Sequence, residues 1–195
     1  MMPTKIEDDV KFMEARPELA MCYSKMSTLD GNYKNEIFPP YRGSDNPFHD
    51  YLKVGNLILP TPTLFFKKKI FDIVGLYDER YICEDFDMTL RITFNHPVEF
   101  RDAYSIQYII HSGSMTIAKK RKLYEDMISI LKNKWRGIPN YNYYLRRRYL
   151  SMFYVFAKDN KLDSIKYMFK SISFCFTKIY LASIFELLFK WPPKK

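Results

Sequence analysis

The sequence predicts a mixed α/β body up to about residue 115, followed by an all-helical extension. Three observations predict it. Apolar runs of strand length, such as residues 19–24 (LAMCYS) and 104–110, lie among Pro- and Gly-rich breaks in the first part of the chain. Between them sit short segments with helical spacing, of which residues 84–94 are the clearest: acids open the segment, and Phe86, Leu90 and Phe94 recur every four residues. Beyond the turn at residues 111–114 the spacing stays helical to the end, with Leu123, Met127, Ile130 and Leu131 on one face and lysines opposite.

Taken in order, residues 4–16 are polar and helix-prone and stop at Arg16-Pro17. Asp30-Gly31-Asn32 reads as a turn, and residues 38–47, rich in Pro, Gly, Ser and Asn, as a loop. Residues 56–66 form an irregular approach, broken by Pro60 and Pro62, into a strand near 64–66. Residues 70–74 suit a short helix ended by Gly75. Residues 98–100 and 104–110 are expected as two strands. In the extension, Leu162, Ile165, Phe169, Ile172, Phe176 and Ile179 alternate steps of three and four, the pattern of a helix-packing stripe.

With 195 residues, 47% of them hydrophobic and 17% aromatic, the chain carries enough apolar surface for a real core and is not a disordered tail. Charge is split unevenly. Residues 1–117 hold 13 Lys/Arg against 17 Asp/Glu, a balance of −4; residues 118–195 hold 18 against 5, a balance of +13. A basic tail on an acidic body points to an anionic surface as partner, phospholipid before nucleic acid, since no nucleic-acid-binding module accompanies the basic runs. A solvated helix face is the simplest reading of Lys119-Lys120-Arg121-Lys122 and Arg146-Arg147-Arg148. Three scattered cysteines without a CxxC pair fit a reducing cytosol, and no signal peptide is evident. Residues 172–189 are apolar but interrupted by Lys178 and Glu186. They suit a helical hairpin packed on the body, or a helix lying in a membrane interface with Trp191 and the lysines at the headgroups, better than a membrane span.

The chemistry-bearing residues cluster in residues 55–116. In order these are Gly55-Asn56, Thr61-Pro62-Thr63-Leu64-Phe65, Val74-Gly75-Leu76-Tyr77-Asp78-Glu79-Arg80, Glu84-Asp85-Phe86-Asp87-Met88-Thr89-Leu90-Arg91, and Tyr108-Ile109-Ile110-His111-Ser112-Gly113-Ser114. By themselves, Glu84-Asp85 read as first-turn acids, Asp87 and Arg91 as an i,i+4 ion pair, and His111, like His49 and His96, as an ordinary histidine. Together the five pieces resemble the second half of the family 2 inverting glycosyltransferases, whose fold is called GT-A. Upstream residues 3–31 continue the match, so it covers roughly the first 117 residues.

The resemblance implies an incomplete GT-A-like mixed sheet over residues 1–117, the acceptor-side half of the domain, with residues 118–195 a basic, aromatic-rich helical extension. It implies transfer of a sugar from a nucleotide-diphosphate donor to an acceptor hydroxyl, glycan or lipid-linked, in surface glycan or polysaccharide synthesis. Asp85 maps onto the general base, with Glu84 orienting it or touching the acceptor. Thr63, Asp87 and Arg91 fall at substrate-side positions, and His111 where the family approaches the diphosphate or its metal. That metal, Mn²⁺ or Mg²⁺, is held in the family by an Asp-x-Asp pair on earlier strands. Here the match starts just downstream of it, at Pro3, Lys5, Ile6 and Glu7, so the main metal ligands and the nucleotide site are expected in an upstream half-domain or partner chain. Glu7-Asp8-Asp9 sit out of register to replace them. One further departure is Ile109, where the family has Arg after the strand tyrosine. The alternative is a non-catalytic remnant or accessory module that binds a partner chain or an anionic membrane through the basic tail. The expected location is cytoplasmic, peripheral on the inner face of the membrane.

Overall fold

A computed structural model describes residues 1–29, 35–38, 45–55, 59–109, 111 and 113–189. The expected turn at Asp30-Gly31-Asn32, most of the 38–47 loop, Asn56, Ser112 and the Trp191 anchor lie outside the described residues. The fold is mixed α/β, and the chain divides into two compact units, Met1–Ala118 and Lys119–Lys195.

The first unit is built on strand β1, Met21–Leu29, which is nearly all buried. The apolar run at residues 19–24 covers only the start of this strand; Ser24, Ser27 and Thr28 are buried with it. Strand β4, Val98–Ile109, pairs with β1 in parallel along its whole length. The two antiparallel partners therefore share the opposite edge: β3, Phe65–Phe66, pairs at Met21 and Cys22, and β2, Asn35–Phe38, at Met26 to Leu29. The two strands expected at 98–100 and 104–110 are in fact one. The interruption read at Arg101-Asp102-Ala103 is an irregularity in the ladder opposite Ser24–Met26, and Asp102 there pairs with Lys25.

Helix α1, Lys5–Glu14, runs antiparallel to β4. Met2 N donates to Ser105 O at 2.8 Å, Arg101 Nε to Asp9 at 2.8 Å, and Arg16 Nε lies 3.1 Å from Glu99. Its Met13 packs with Leu19 and Cys22 beside Phe12 and Phe65. Helix α2, Pro47–Val54, was not foreseen. The Asn46-Pro47 pair that reads as loop is a helix start, with Asn46 Oδ1 accepting from His49 N at 3.1 Å and proline in the first turn. Helix α3, Ile70–Val74, ends at Gly75 as expected. Helix α4, Glu84–Asn95, packs on α2 through Phe48–Phe94 and Tyr51–Phe86 ring contacts, 4.8 and 5.4 Å between centroids. A short helix α5, Met115–Ala118, closes the unit.

In the second unit, α6 (Lys120–Lys134), α8 (Lys161–Lys170) and α9 (Lys178–Phe189) pack around α7 (Tyr141–Asp159). Met152, Phe153 and Phe156 of α7 meet Ile128, Tyr167 and Tyr180 in its core. Two expectations fail here. The stripe from Leu162 to Ile179 does not pack but faces outward, with Leu162 83% and Phe176 95% exposed. What packs is the opposite face, Ser164, Tyr167 and Ser171. Small hydroxyl residues let helices approach closely, and Ser171 donates its hydroxyl to Tyr167 O at 2.8 Å, which lowers the cost of burying it. Nor is Arg146-Arg147-Arg148 one basic patch, since Arg148 is buried. Among the described residues no helix is long and apolar enough to cross a membrane.

Candidate functional site

Glu84 and Asp85 open α4, half-buried, in the first turn where the helix leaves unsatisfied N–H groups. Cys83, the residue before them, offers no side-chain cap. One carboxylate oxygen of Asp85 accepts from Phe86 N at 2.7 Å, which fixes the group against its own helix. Among the described residues, no hydrogen bond occupies the other oxygen. A half-buried carboxylate with one oxygen anchored and one open is poised to accept a proton from a bound hydroxyl.

Tyr77, given no role from the sequence, lies within the electrostatic reach of these acids. Its phenol is pushed above the usual tyrosine value by burial first, then by Asp85 and Glu84, against a smaller opposing effect of Arg91. It therefore stays protonated around neutrality and can donate. The ring packs on Phe71, which meets Phe66 edge-on. The signal was present in the Tyr77-Asp78 pair, a short distance before the acids. Beside it Asp78 grips Arg80 with two hydrogen bonds of 2.8 Å, which raises the affinity of the guanidinium for its proton.

Asp87 and Arg91 hold the site without reaching into it. Asp87 is completely buried and accepts from Arg91 Nε at 3.0 Å. The same guanidinium donates to the carbonyls of Val74, Gly75 (3.4 Å) and Leu76 (2.9 Å). Gly75, with φ of 80°, makes this possible, because a positive φ is strained for a residue with a side chain and suits glycine. The clamp fastens the chain after α3 onto α4 and so keeps Tyr77 near enough to the acids to feel their charge.

Thr63 is placed elsewhere. It is fully buried: its hydroxyl donates to Pro60 O at 2.8 Å and accepts from Ser24 N at 3.2 Å, while its carbonyl accepts from Lys5 Nζ at 3.3 Å. Ser24 lies between the stretches of β1 paired to β3 and to β2, so Thr63 fills the gap in that edge, with its hydroxyl used inside the fold. His111 is exposed just past β4. Its carbonyl accepts from Ser114 N at 3.0 Å, and no hydrogen bond, ion pair or ring contact joins it to Glu84, Asp85 or Tyr77. The structure thus links Glu84, Asp85, Tyr77, Asp87 and Arg91, while Thr63 and His111 make no hydrogen bond, ion pair or ring contact with them. Among the described residues no three His, Cys, Asp or Glu side chains converge as a metal site.

A second polar cluster was also missed. Lys5, Asp9 and Arg101 form an ion network centred on two buried residues, with Asp9 paired to Lys5 and 2.8 Å from Nε of the half-buried Arg101. Asp9 is thus the centre of a charge network tying α1 to β4. The i,i+4 spacing of Lys5 and Asp9 was the available clue. No family model, curated protein or solved structure matches the chain.

Proposed function

We propose that residues 1–118 are the acceptor-side portion of a GT-A-type inverting glycosyltransferase, in which Asp85 is the general base. The observation that carries this reading is the Asp85 carboxylate at the head of α4, one oxygen anchored and the other open, in the motif order that resembles the family. The open oxygen takes the proton of an acceptor hydroxyl as that oxygen attacks the anomeric carbon. The nucleoside diphosphate departs from the opposite face with the bonding pair, and the configuration inverts. Tyr77, protonated and within the electrostatic reach of the same carboxylates, donates a hydrogen bond to the acceptor or to Asp85. Asp87 and Arg91 hold this geometry.

The described residues do not fit a divalent cation, and His111 stands without partner ligands. In this proposal the donor and its metal are held by an upstream segment or a partner chain, and the step at Asp85 is a proton transfer that this chain performs itself. Such an enzyme acts on a glycan or lipid-linked acceptor at the cytoplasmic side of a membrane.

The test is release of nucleoside diphosphate from UDP-, GDP- and dTDP-sugars by this chain together with the product of the adjoining upstream coding segment. Asp85→Asn should lower turnover by about 10²- to 10⁴-fold while circular dichroism and melting stay unchanged. Turnover kept within a factor of ten of wild type would remove Asp85 from the role. No release from any donor by the pair would remove the transferase reading.

A further inference from the structure

The outward stripes of the second unit form a surface that its own core does not use. On α8 and the turn after it, Leu162, Ile165, Phe169, Ile172 and Phe176 point away from α7. On α9, Leu181, Phe185, Leu188 and Phe189 do the same at the i, i+4, i+7, i+8 spacing of one helix face, and Phe185 stacks obliquely on Phe189 at 4.9 Å. Exposed apolar side chains scattered singly are ordinary; continuous stripes on two adjacent helices mark a contact surface.

Bordering the α8 stripe is a concentration of positive charge. Lys166 and Lys170 follow Ile165 and Phe169 directly in sequence, and Lys132 of α6 joins them around a plate made by Tyr149 and Tyr167. Lys170 lies 5.1 and 5.7 Å from the two ring centroids, Lys132 5.8 Å from Tyr149, and Lys166 5.7 Å from Tyr167. The nearby carboxylates offset them only in part: Glu125 and Asp163 are both bonded to Arg121, at 3.2 and 2.7 Å, which leaves one net negative charge against three lysines. The ammonium of Lys170 loses its proton more easily than an ordinary lysine, through burial and the repulsion of Lys166 and Lys132. A bound anion would relieve that repulsion.

We propose that the outer face of α8 and α9 docks on an anionic phospholipid bilayer, its Phe and Leu side chains entering the headgroup–acyl boundary and Lys132, Lys166 and Lys170 taking lipid phosphates. Charge decides the occupant. Residues 118–195 carry 18 Lys/Arg against 5 Asp/Glu, which an anionic surface complements. A second copy of the chain laid on the same face would bring like-charged lysine clusters together. The stripe is aliphatic and phenylalanine-rich, suited to acyl chains, and contacts of this kind lie in the interface without spanning it. The proposal is independent of sugar transfer.

The test is flotation of the full-length chain with vesicles of phosphatidylcholine alone and of phosphatidylcholine with 30% phosphatidylglycerol. Binding is expected to the second only, and to weaken from 0.1 to 1 M NaCl as the screening length falls from about 10 to 3 Å. The Lys132→Gln/Lys166→Gln/Lys170→Gln variant should bind about a hundredfold more weakly. Phe169→Ser/Phe176→Ser should bind at least about tenfold more weakly; both residues are exposed, so circular dichroism should report an intact fold. No binding to the anionic vesicles overturns the proposal. So does undiminished binding by the folded Phe variant, or a concentration-dependent dimer that this variant dissolves, since a second copy would then own the face.

Discussion

Arg91 makes its contacts with main-chain carbonyls as much as with a side chain. Arg91→Ala takes a partner from the buried Asp87 and three acceptors' donor from Val74 to Leu76. It should cost about 2–3 kcal/mol by urea unfolding and open the 75–83 segment to proteolysis. Arg91→Lys should recover little, because an ammonium cannot span the three carbonyls and Asp87 together. Cys22 gives a second prediction at this scale. Its thiol is buried and pushed up from 9.0 to about 12, by burial first and then by Asp9. At pH 8 a thiol reagent should consume Cys175 alone in the native protein, with Cys22 and Cys83 reacting after denaturation. The folded state binds the Cys22 proton more tightly than the unfolded one. Its contribution is therefore full below pH 9 and lost as pH rises toward 12, and the urea midpoint should fall over that window. The role of Asp87 and Arg91 was legible only as a pair at i,i+4. Their partners are carbonyls, which every sequence contains and no pattern singles out.

Among the elements, α1, α3 and α4 were legible, since each combines a helical period with a stop signal: Arg16-Pro17, Gly75, or acids at the head of the helix. Helix α2 was not, because Asn46-Pro47 serves equally as a loop and as a capped helix start. The stripe on α8 was legible as a stripe and misread in direction. Periodicity finds an apolar face without saying what covers it, and the face packed on α7 owes its fit to Ser164 and Ser171, whose polarity hides it. At this scale the ion network is what fastens α1 to the sheet. Asp9→Ala would leave the buried Lys5 and the half-buried Arg101 without their shared carboxylate. It should cost about 3–5 kcal/mol by denaturant unfolding, whereas Asp8→Ala should cost little, since Asp8 is half-exposed and stands 4.0 Å from Arg101 at the edge of the network.

For the molecule as a whole, the division into a mixed α/β part and an all-α part was legible because the apolar period changes once and does not change back. Sheet topology was less so. Among the described residues three strands pair with β1, with two of them sharing one of its edges end to end, and strand-length runs carry no information about which edge they choose. The break between those two strands has a consequence for exchange with solvent. Amides of β1 should be among the slowest in the first unit to trade hydrogen for deuterium, because both edges of the strand are engaged. Ser24 belongs to that set through a hydroxyl and not through a neighbouring strand. Thr63→Val, nearly isosteric, should destabilise the fold by about 1–3 kcal/mol and turn the Ser24 amide into a fast-exchanging position inside an otherwise protected strand. One side chain thus sets the local opening rate of a strand nearly forty residues away in the chain.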